Sequence, residues 1–532
     1  MEVFPQTKMH HYSLREKIHR GIYLILLMAC VVTLPLSEYV LSMAEIFLAA
    51  NFLAEGKYKE KFNRIKSDKF ALLNLSLFFM LIIGLLYTSD YAYAMKDIRI
   101  KLPLLFFPVI FATTRKLSKK ELGLILLTFI LAVALTAIIN IFIAKDIRGM
   151  SYFVSHIRFG LLVCLAIFAC IYFLKSFRLF KSYLGIPFYL LIAFFVSFLL
   201  YSSNFTGIII LAITAVFFIL RFLFTQNPLW IKVLSFIVLL AIAFFFIQPI
   251  VKNYKILYSD SSPRSFSALE QETKEGNLYF HDTTNLIREN EYYIRQYLCE
   301  EELEREWNKR SQYDYHTQDS ATAFSKEILI RYMTSKNLKK DAEGMAQMTD
   351  KDILAVEKGI SNYRFLTMNP YEKRTYKILW EIQEYQFIGN PNGHSVIQRY
   401  IYLQIAWKII KENWLIGVGT GDLLLAYDEI YAKTDTALQD GFKHRAHNQY
   451  FTMWLSFGIL GFLLFIFVLI YPLIYQKNNL SFLYLAFFCI IVLSMLTEDT
   501  LETQTGVSIF AFFNSFLFYN TTKTRKEDGI KK

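Results

Sequence analysis

Charge is what this chain of 532 residues has least of. Only 19% of its residues are Asp, Glu, Lys or Arg, while 55% are hydrophobic and 17% aromatic. A soluble domain usually carries about 25% charged residues. Glycine (21) and proline (11) are also scarce, which excludes collagen-like and low-complexity chains. There are five cysteines, and Cys30, Cys164, Cys170 and Cys489 lie within apolar runs, where they act as small hydrophobes. Cys299 stands alone in the one long polar segment, and no CxxC or Cys/His spacing occurs. Neither a disulfide framework nor a zinc site is expected, and the reading needs no cofactor.

What the chain does have is long apolar runs. Leu122–Ala144 is nearly unbroken, and roughly 20 such residues cross a bilayer as a helix. Hydropathy gives about twelve spans, near 21–36, 38–54, 70–88, 97–114, 121–143, 158–175, 183–201, 205–224, 232–250, 450–475, 480–497 and 505–520. The fourth is the weakest, because Lys96, Arg99 and Lys101 crowd its start. Lys8, Arg15, Lys17 and Arg20 precede the first run with no small-residue cleavage pattern after it, so it reads as an uncleaved helix. The expected fold class is all-α: a polytopic membrane protein of about 12 transmembrane helices with one large helical loop.

The net charge of +12 is explained by position. GKYKEKFNRIKSDK, RKLSKKE, KSFRLFK and the tail TRKEDGIKK fall on one side if the N-terminus is cytoplasmic, as the positive-inside rule requires. Nucleic-acid binding is therefore not expected. This orientation puts both termini in the cytoplasm and 251–449 outside. The expected organisation is a membrane domain of nine spans over 1–250, an external loop over 251–449 with its catalytic end at about 394–449, and three more spans with a cytoplasmic tail over 450–532. Within the loop, ALEQETKEG, NEYYIRQYLCEEELEREWNKR and TDKDILAVEKGI read as helices from their Glu, Lys and Leu content.

The densest chemical signal closes that loop. A helix headed by Arg399 is followed by Trp414-Leu-Ile-Gly417-Val-Gly419-Thr-Gly421-Asp422, then by His444-Arg-Ala-His447-Asn448-Gln-Tyr450 and Phe457-Gly458-Ile-Leu-Gly461. The glycine run has no Gly-Lys-Ser/Thr ending and no preceding strand, so it is not a nucleotide loop. It reads as a turn at the mouth of a site, with Asp422 capping or orienting it. Upstream, His156-Ile-Arg158-Phe opens the sixth span, and Glu498-Asp499-Thr-Leu-Glu502 joins the last two. That acidic turn reads as a partner for Arg399 or Arg445 before it reads as a cation site. Glu45 in the second span must face the bundle interior, where a structural hydrogen bond is the plainer role.

In this order the segments resemble the O-antigen ligase family within the ligase and polymerase superfamily, and the resemblance extends to SHIRFG at 155–160 and EDTLETQTG at 498–506. It implies metal-independent, inverting transfer of a glycan from an undecaprenyl diphosphate donor to lipid A–core, on the periplasmic side of the inner membrane. His447 matches the proposed base; histidine titrates near neutrality and can accept the acceptor hydroxyl's proton. Arg399 matches the loop arginine expected on the diphosphate, since guanidinium forks onto phosphate oxygens. Arg158 and Arg445 are further diphosphate candidates; for Arg158 the plainer alternative is snorkelling to the interface. His444, Asn448, Gly417, Gly419 and Gly421 are acceptor or supporting residues. The chain departs from the pattern at Ser202-Ser203-Asn204, where many members carry an arginine. Alternatives are a polysaccharide polymerase or protein O-oligosaccharyltransferase of the same superfamily and, from another class, a transporter or flippase. The last predicts internal repeats and several deep charges; only Glu45 is plainly so placed.

Overall fold

A computed structural model of the chain describes residues 13–143, 151–224, 228–259, 269–317, 323–476 and 479–522. They form two compact units. The first runs to Arg221 and takes in Tyr402–Asp435 and the chain from His444; the second comprises Phe222–Ile401 and Thr436–Lys443.

The helices of the first half are α1 (Leu14–Thr33), α2 (Glu38–Glu55), α3 (Tyr58–Ser67), α4 (Lys69–Gly84), α5 (Tyr91–Ile100), α6 (Pro103–Thr113), α7 (Lys119–Ile143), α8 (His156–Ser176), α9 (Ile186–Tyr201), α10 (Phe205–Leu223) and α11 (Leu229–Leu257). Short polar residues start many of them. Ser13 caps α1 in a reciprocal box with Glu16, and Ser37, Asp68, Asp90 and Ser155 cap α2, α4, α5 and α8 through their side chains. The loop adds α12 (Glu300–Arg310), α13 (Lys326–Ser335), α14 (Ala342–Ala346), α15 (Asp350–Glu357), α16 (Pro370–Ile388), α17 (Ser395–Glu412) and α18 (Leu423–Lys433). The chain then forms α19 (Gln449–Tyr475), α20 (Phe482–Ser494) and α21 (Gln504–Thr521).

Each apolar run read from the sequence carries a helix, and the fold is all-α. Among the described residues, seven helices are long and apolar enough to cross a membrane, or eight if the bent pair α2–α3 counts as one span. That is fewer than twelve. The fourth run shows why: it splits into α5 and α6 around Lys101, which is buried in ion pairs, so neither half is long enough alone.

The first unit's core is built around α8 and α21, most of whose side chains are buried. Because lipid tails are as apolar as Leu, packing and internal hydrogen bonds, more than hydrophobicity, hold such helices together. Asn514 on α21 donates to Asn74 of α4 at 2.8 Å and accepts from Tyr484 of α20 at 2.8 Å. Gln504 donates to the buried Glu45 carboxylate at 3.1 Å, the structural hydrogen bond expected for that residue. Phe70 stacks on Phe518 at 3.7 Å between centroids.

The second unit has its own core of Trp307, Phe324, Leu329, Tyr332, Met333 and Tyr376, among others. Glu289 is fully buried there, accepting from Tyr376 Oη at 2.9 Å, Asn362 Nδ2 at 2.6 Å and Arg331 Nε at 2.8 Å, so its charge is fully partnered. Of the three loop segments read as helical, one is not and a second is helical only from Glu300 onward, as α12. Gln271–Tyr279 folds back on itself around Gly276, because the Glu302 carboxylate draws in Thr273 at 2.5 Å and Asn277 at 2.8 Å. The segment before α12 forms a small antiparallel hairpin, β1 (Arg288–Glu289) and β2 (Tyr292–Tyr293), turning at a left-handed Asn290. Helix propensity is a weak prior, and tertiary contacts override it here. The third segment is α15, as expected.

Candidate functional site

The segment His444–Gln449 is held from three directions, all within the first unit. From α18, Tyr431 Oη donates to the His444 carbonyl at 2.8 Å, and Tyr427 Oη accepts from Ala446 N at 3.1 Å. Four residues apart, these two tyrosines share one face of the helix. From α17, the buried Tyr402 packs its ring 6.0 Å from each of the His444 and His447 rings. From below, Asn448 caps α19, accepting from Tyr450 N at 3.0 Å and Phe451 N at 3.1 Å, and donates to the Leu496 carbonyl at 3.0 Å. Gln449 follows by donating its main-chain N–H to Met495 O at 2.9 Å and accepting from Leu501 N at 2.6 Å. Between these anchors His447 takes a left-handed φ of 48°. A non-glycine residue in that region costs of order 1–3 kcal/mol and persists only where its surroundings impose it.

A ladder of charges fixes the same turn. Lys101 Nζ lies 2.8 Å from Asp97 and 2.8 Å from Glu502, all three side chains being at most 7% exposed. Glu502 continues to Arg445 Nη1 at 3.5 Å, and Arg445 Nε approaches Asp499 at 3.9 Å. Asp499 also accepts from Thr452 Oγ1 at 2.7 Å. Burial would push the Glu502 carboxyl up, but Lys101 and Arg445 more than reverse this and hold it below the usual range. At Asp499 burial outweighs Arg445, and its carboxyl lies above the usual range. Burial lowers the Arg445 guanidinium, yet Glu502 and Asp499 carry it above its ordinary value. The acidic turn is thus an ion-pair partner for Arg445, as expected, with Lys101 as an unforeseen second cation. Arg445, read from the sequence as a diphosphate contact, is engaged by carboxylates that tie the histidine turn to residues 499–502.

Arg158 lies within electrostatic reach of the same turn. It stands in the first turn of α8, its Nη1 donating to Ser155 Oγ at 3.2 Å, and the carboxylates whose charge reaches it are Glu498, Glu38 and Asp499. Asn204, where an arginine was expected, is 1% exposed. It donates to the His156 carbonyl at 2.6 Å and accepts from Gly207 N at 2.9 Å, so it pins the start of α10 to the turn that carries Arg158.

The glycine turn meets protein backbone. α19 breaks at Gly458, with φ 62° and ψ −169°. Residues 414–419 dock along that break: Val418 N donates to Leu455 O at 2.9 Å, Gly419 N to Ser456 O at 2.9 Å, and Ile459 N returns to Trp414 O at 2.8 Å. A Cβ at Gly417, whose φ is 81°, would sit 2.5 Å from Gly458 N. At Gly421 a Cβ would strike the Asp90 carbonyl. Gly417 and Gly421 therefore serve close backbone packing, against α19 and the Asp90 carbonyl. Asp422 orients, as expected: its carboxylate accepts from Ser89 N at 2.8 Å, Asp90 N at 2.8 Å and Thr88 Oγ1 at 3.0 Å, contacts that together hold it below the usual carboxylate range against the upward push of burial. A cavity of about 730 Å³ opens beside this turn, lined by Ser89, Trp414, Gly417 and Asp422 among others, but by neither His447 nor Arg158. Gly417→Ala should destabilise the protein by at least about 2 kcal/mol from left-handed strain and overlap. Gly441→Ala, where a Cβ meets nothing within 4 Å, should be neutral; thermal unfolding of the detergent-solubilised pair checks both.

Arg399 lies in the second unit, half-buried on α17. The start of that helix is fixed to α16: Arg374 Nη2 donates to Ser395 Oγ at 2.7 Å, and His394 lies 3.0 Å from Glu384, whose carboxylate raises the imidazole against the downward push of burial.

Sequence reasoning missed Lys101, Tyr402, Tyr427, Tyr431 and Asn204. The tyrosines carried one weak signal: Tyr402 follows Arg399 at helical spacing, and Tyr427 and Tyr431 repeat at four. For Lys101 and Asn204 only local partners, Asp97 and Gly207, were within reach of the sequence; Glu502 and the His156 carbonyl are distant in the chain.

Residues 365–466 match the family model described as O-Antigen ligase. The match takes in Arg399, the glycine turn, the histidine pair and the break in α19, the segments on which the resemblance was first drawn, and it supports the O-antigen ligase family. No curated protein matches the chain.

Proposed function

We propose that this membrane glycosyltransferase of the O-antigen ligase type moves a glycan from undecaprenyl diphosphate to lipid A–core on the periplasmic side of the inner membrane. The observation that carries the reading is that Arg445, two residues before His447, is ion-paired to Asp499 and Glu502, with His447 held in a left-handed backbone conformation. His447 takes the proton of the attacking hydroxyl as the new glycosidic bond forms. The sugar–phosphate bond breaks on the opposite face, inverting the anomeric carbon, and the electron pair leaves on the diphosphate. Arg399 and Arg158 offset the charge growing there. Arg445 acts through the turn it holds. The donor stores the energy of transfer, so the step needs no ATP, and arginines meet the leaving-group charge in place of a metal. The polyprenyl chain and surrounding membrane lipid lie against the apolar faces of spans such as α9 and α10, which are largely exposed.

The acceptor class is tested by competition. Purified protein in proteoliposomes receives a lipid-diphosphate glycan together with lipid A–core, a second lipid-linked repeat and a Ser/Thr peptide. Product on lipid A–core is expected; product on the second repeat or on the peptide replaces ligation with polymerisation or protein glycosylation. Arg399→Ala should lose donor affinity as well as rate, because a charge-assisted fork acts before and during transfer. Arg399→Lys should restore little, since ammonium cannot form the fork. Donor binding beside single-turnover transfer checks this.

A further inference from the structure

The second large cavity of the first unit, about 690 Å³, shares no lining residue with the candidate site. It is enclosed by α1, α2, α3 and the end of α6. Six of its lining residues are Lys or Arg and three are Glu. Much of that charge is internally paired. Lys57 meets Glu16, Lys61 lies 2.9 Å from Glu55, and Arg20 lies 2.9 Å from Glu121, just beyond the lining. Lys17 and Arg64 remain against Glu60, and Arg115 also lines the cavity. Arg64 has no carboxylate partner among the described residues; its Nη1 donates to the Thr113 carbonyl at 2.7 Å, which aims the guanidinium and leaves its other N–H groups available.

The floor of the cavity is apolar, formed by Tyr23, Leu24 and Ile110 from helices of the membrane bundle. Its rim is α3, bent 111° from α2 through the left-handed pair Gly56 and Lys57. Short and strongly basic, with Tyr58 and Phe62 exposed, α3 has the composition of a helix lying in the plane of a membrane surface. A cationic rim above an apolar floor, where a bundle meets such a helix, is complementary to one ligand chemistry: a phosphodiester carrying an aliphatic chain.

We propose that this cavity holds an anionic membrane phospholipid, its phosphate on Arg64 with Lys17 adding charge, and its first acyl carbons against Tyr23, Leu24 and Ile110. A zwitterionic lipid fits less well, because its own ammonium would face the basic rim. The site is independent of the transfer reaction and stands on its own geometry.

The test is lipid exchange on the full-length protein in mild detergent. Protein is equilibrated with an equimolar mixture of phosphatidylglycerol and phosphatidylethanolamine, re-purified, and its retained lipid quantified by mass spectrometry. Wild type should keep phosphatidylglycerol in about tenfold preference. Arg64→Gln should reduce retention about fivefold or more, and Lys17→Gln, a change at an exposed side chain, by a smaller factor. Lys181→Gln, in another basic loop, should change nothing. Thermal unfolding in lipid-free detergent should be the same for all four proteins. If Arg64→Gln fails that comparison, Lys17→Gln decides alone. Equal retention of the two lipids, or retention unaffected by the variants, overturns the proposal. Displacement of the lipid by millimolar inorganic phosphate that itself binds the wild type would assign the site to a soluble anion and overturn it equally.

Discussion

His447→Ala should lose about 10²–10⁴-fold in turnover, the usual scale of general-base catalysis, while keeping its affinity for the lipid-linked donor. In the proposed step the imidazole is directed at the acceptor, so its loss should leave the diphosphate contacts untouched. The wild-type rate should fall at acid pH as the imidazole gains its proton and can no longer accept one. In the alanine variant that acid limb should vanish. His444→Ala is the comparison: its ring is exposed and lies 6.3 Å from that of His447, and its loss should raise the apparent KM for acceptor more than it lowers turnover. Donor binding and transfer rates measured against pH and acceptor concentration on the same preparations check these expectations. A His447→Ala protein that transfers normally removes the base from the account.

Lys101→Met should be the most damaging substitution to the scaffold. It leaves the Asp97 and Glu502 carboxylates buried after their shared cation has gone. Breaking a buried pair by deleting one partner costs about 3–5 kcal/mol, because the desolvated charge left behind is no longer compensated. The consequence should reach the chemistry. Glu502 holds Arg445, and Arg445 with Asn448 and Gln449 imposes the left-handed turn at His447. Lys101→Met/Asp97→Leu removes the cation with one of its carboxylates and leaves Glu502 to Arg445, so it should recover much of the lost stability. Unfolding midpoints of wild type, the single and the double variant in one detergent check this. A single variant as stable as wild type would show that the ladder does not hold the turn.

How much of this was legible in the sequence depended on range. Apolar runs encode helices through a local signal, and each run carries one. The number of crossings is less direct, because Lys101 splits the fourth run through partners one helical turn and some 400 residues away. Glu and Lys content misread 271–279 for a similar reason: the fold of that segment is dictated by Glu302. At the candidate site the histidine pair, the glycine turn and Asp422 were visible as motifs, but what each touches was not. Gly417 looked like a residue for approaching a ligand, and it approaches the backbone of α19 at Gly458. The absent arginine near Asn204 looked like a gap. The asparagine there is instead a buried tie to the turn bearing Arg158, a contact that no spacing encodes.

The most direct test of the account is one reaction: purified protein in nanodiscs, a polyprenyl-diphosphate glycan, lipid A–core, and excess EDTA without ATP. The account predicts glycosylated lipid A–core with an inverted anomeric linkage and stoichiometric release of polyprenyl diphosphate. It also predicts that both products are lost together in His447→Ala. Transfer that requires restored divalent cation, or a lipid-linked glycan that crosses the bilayer unchanged with no diphosphate released, would contradict it.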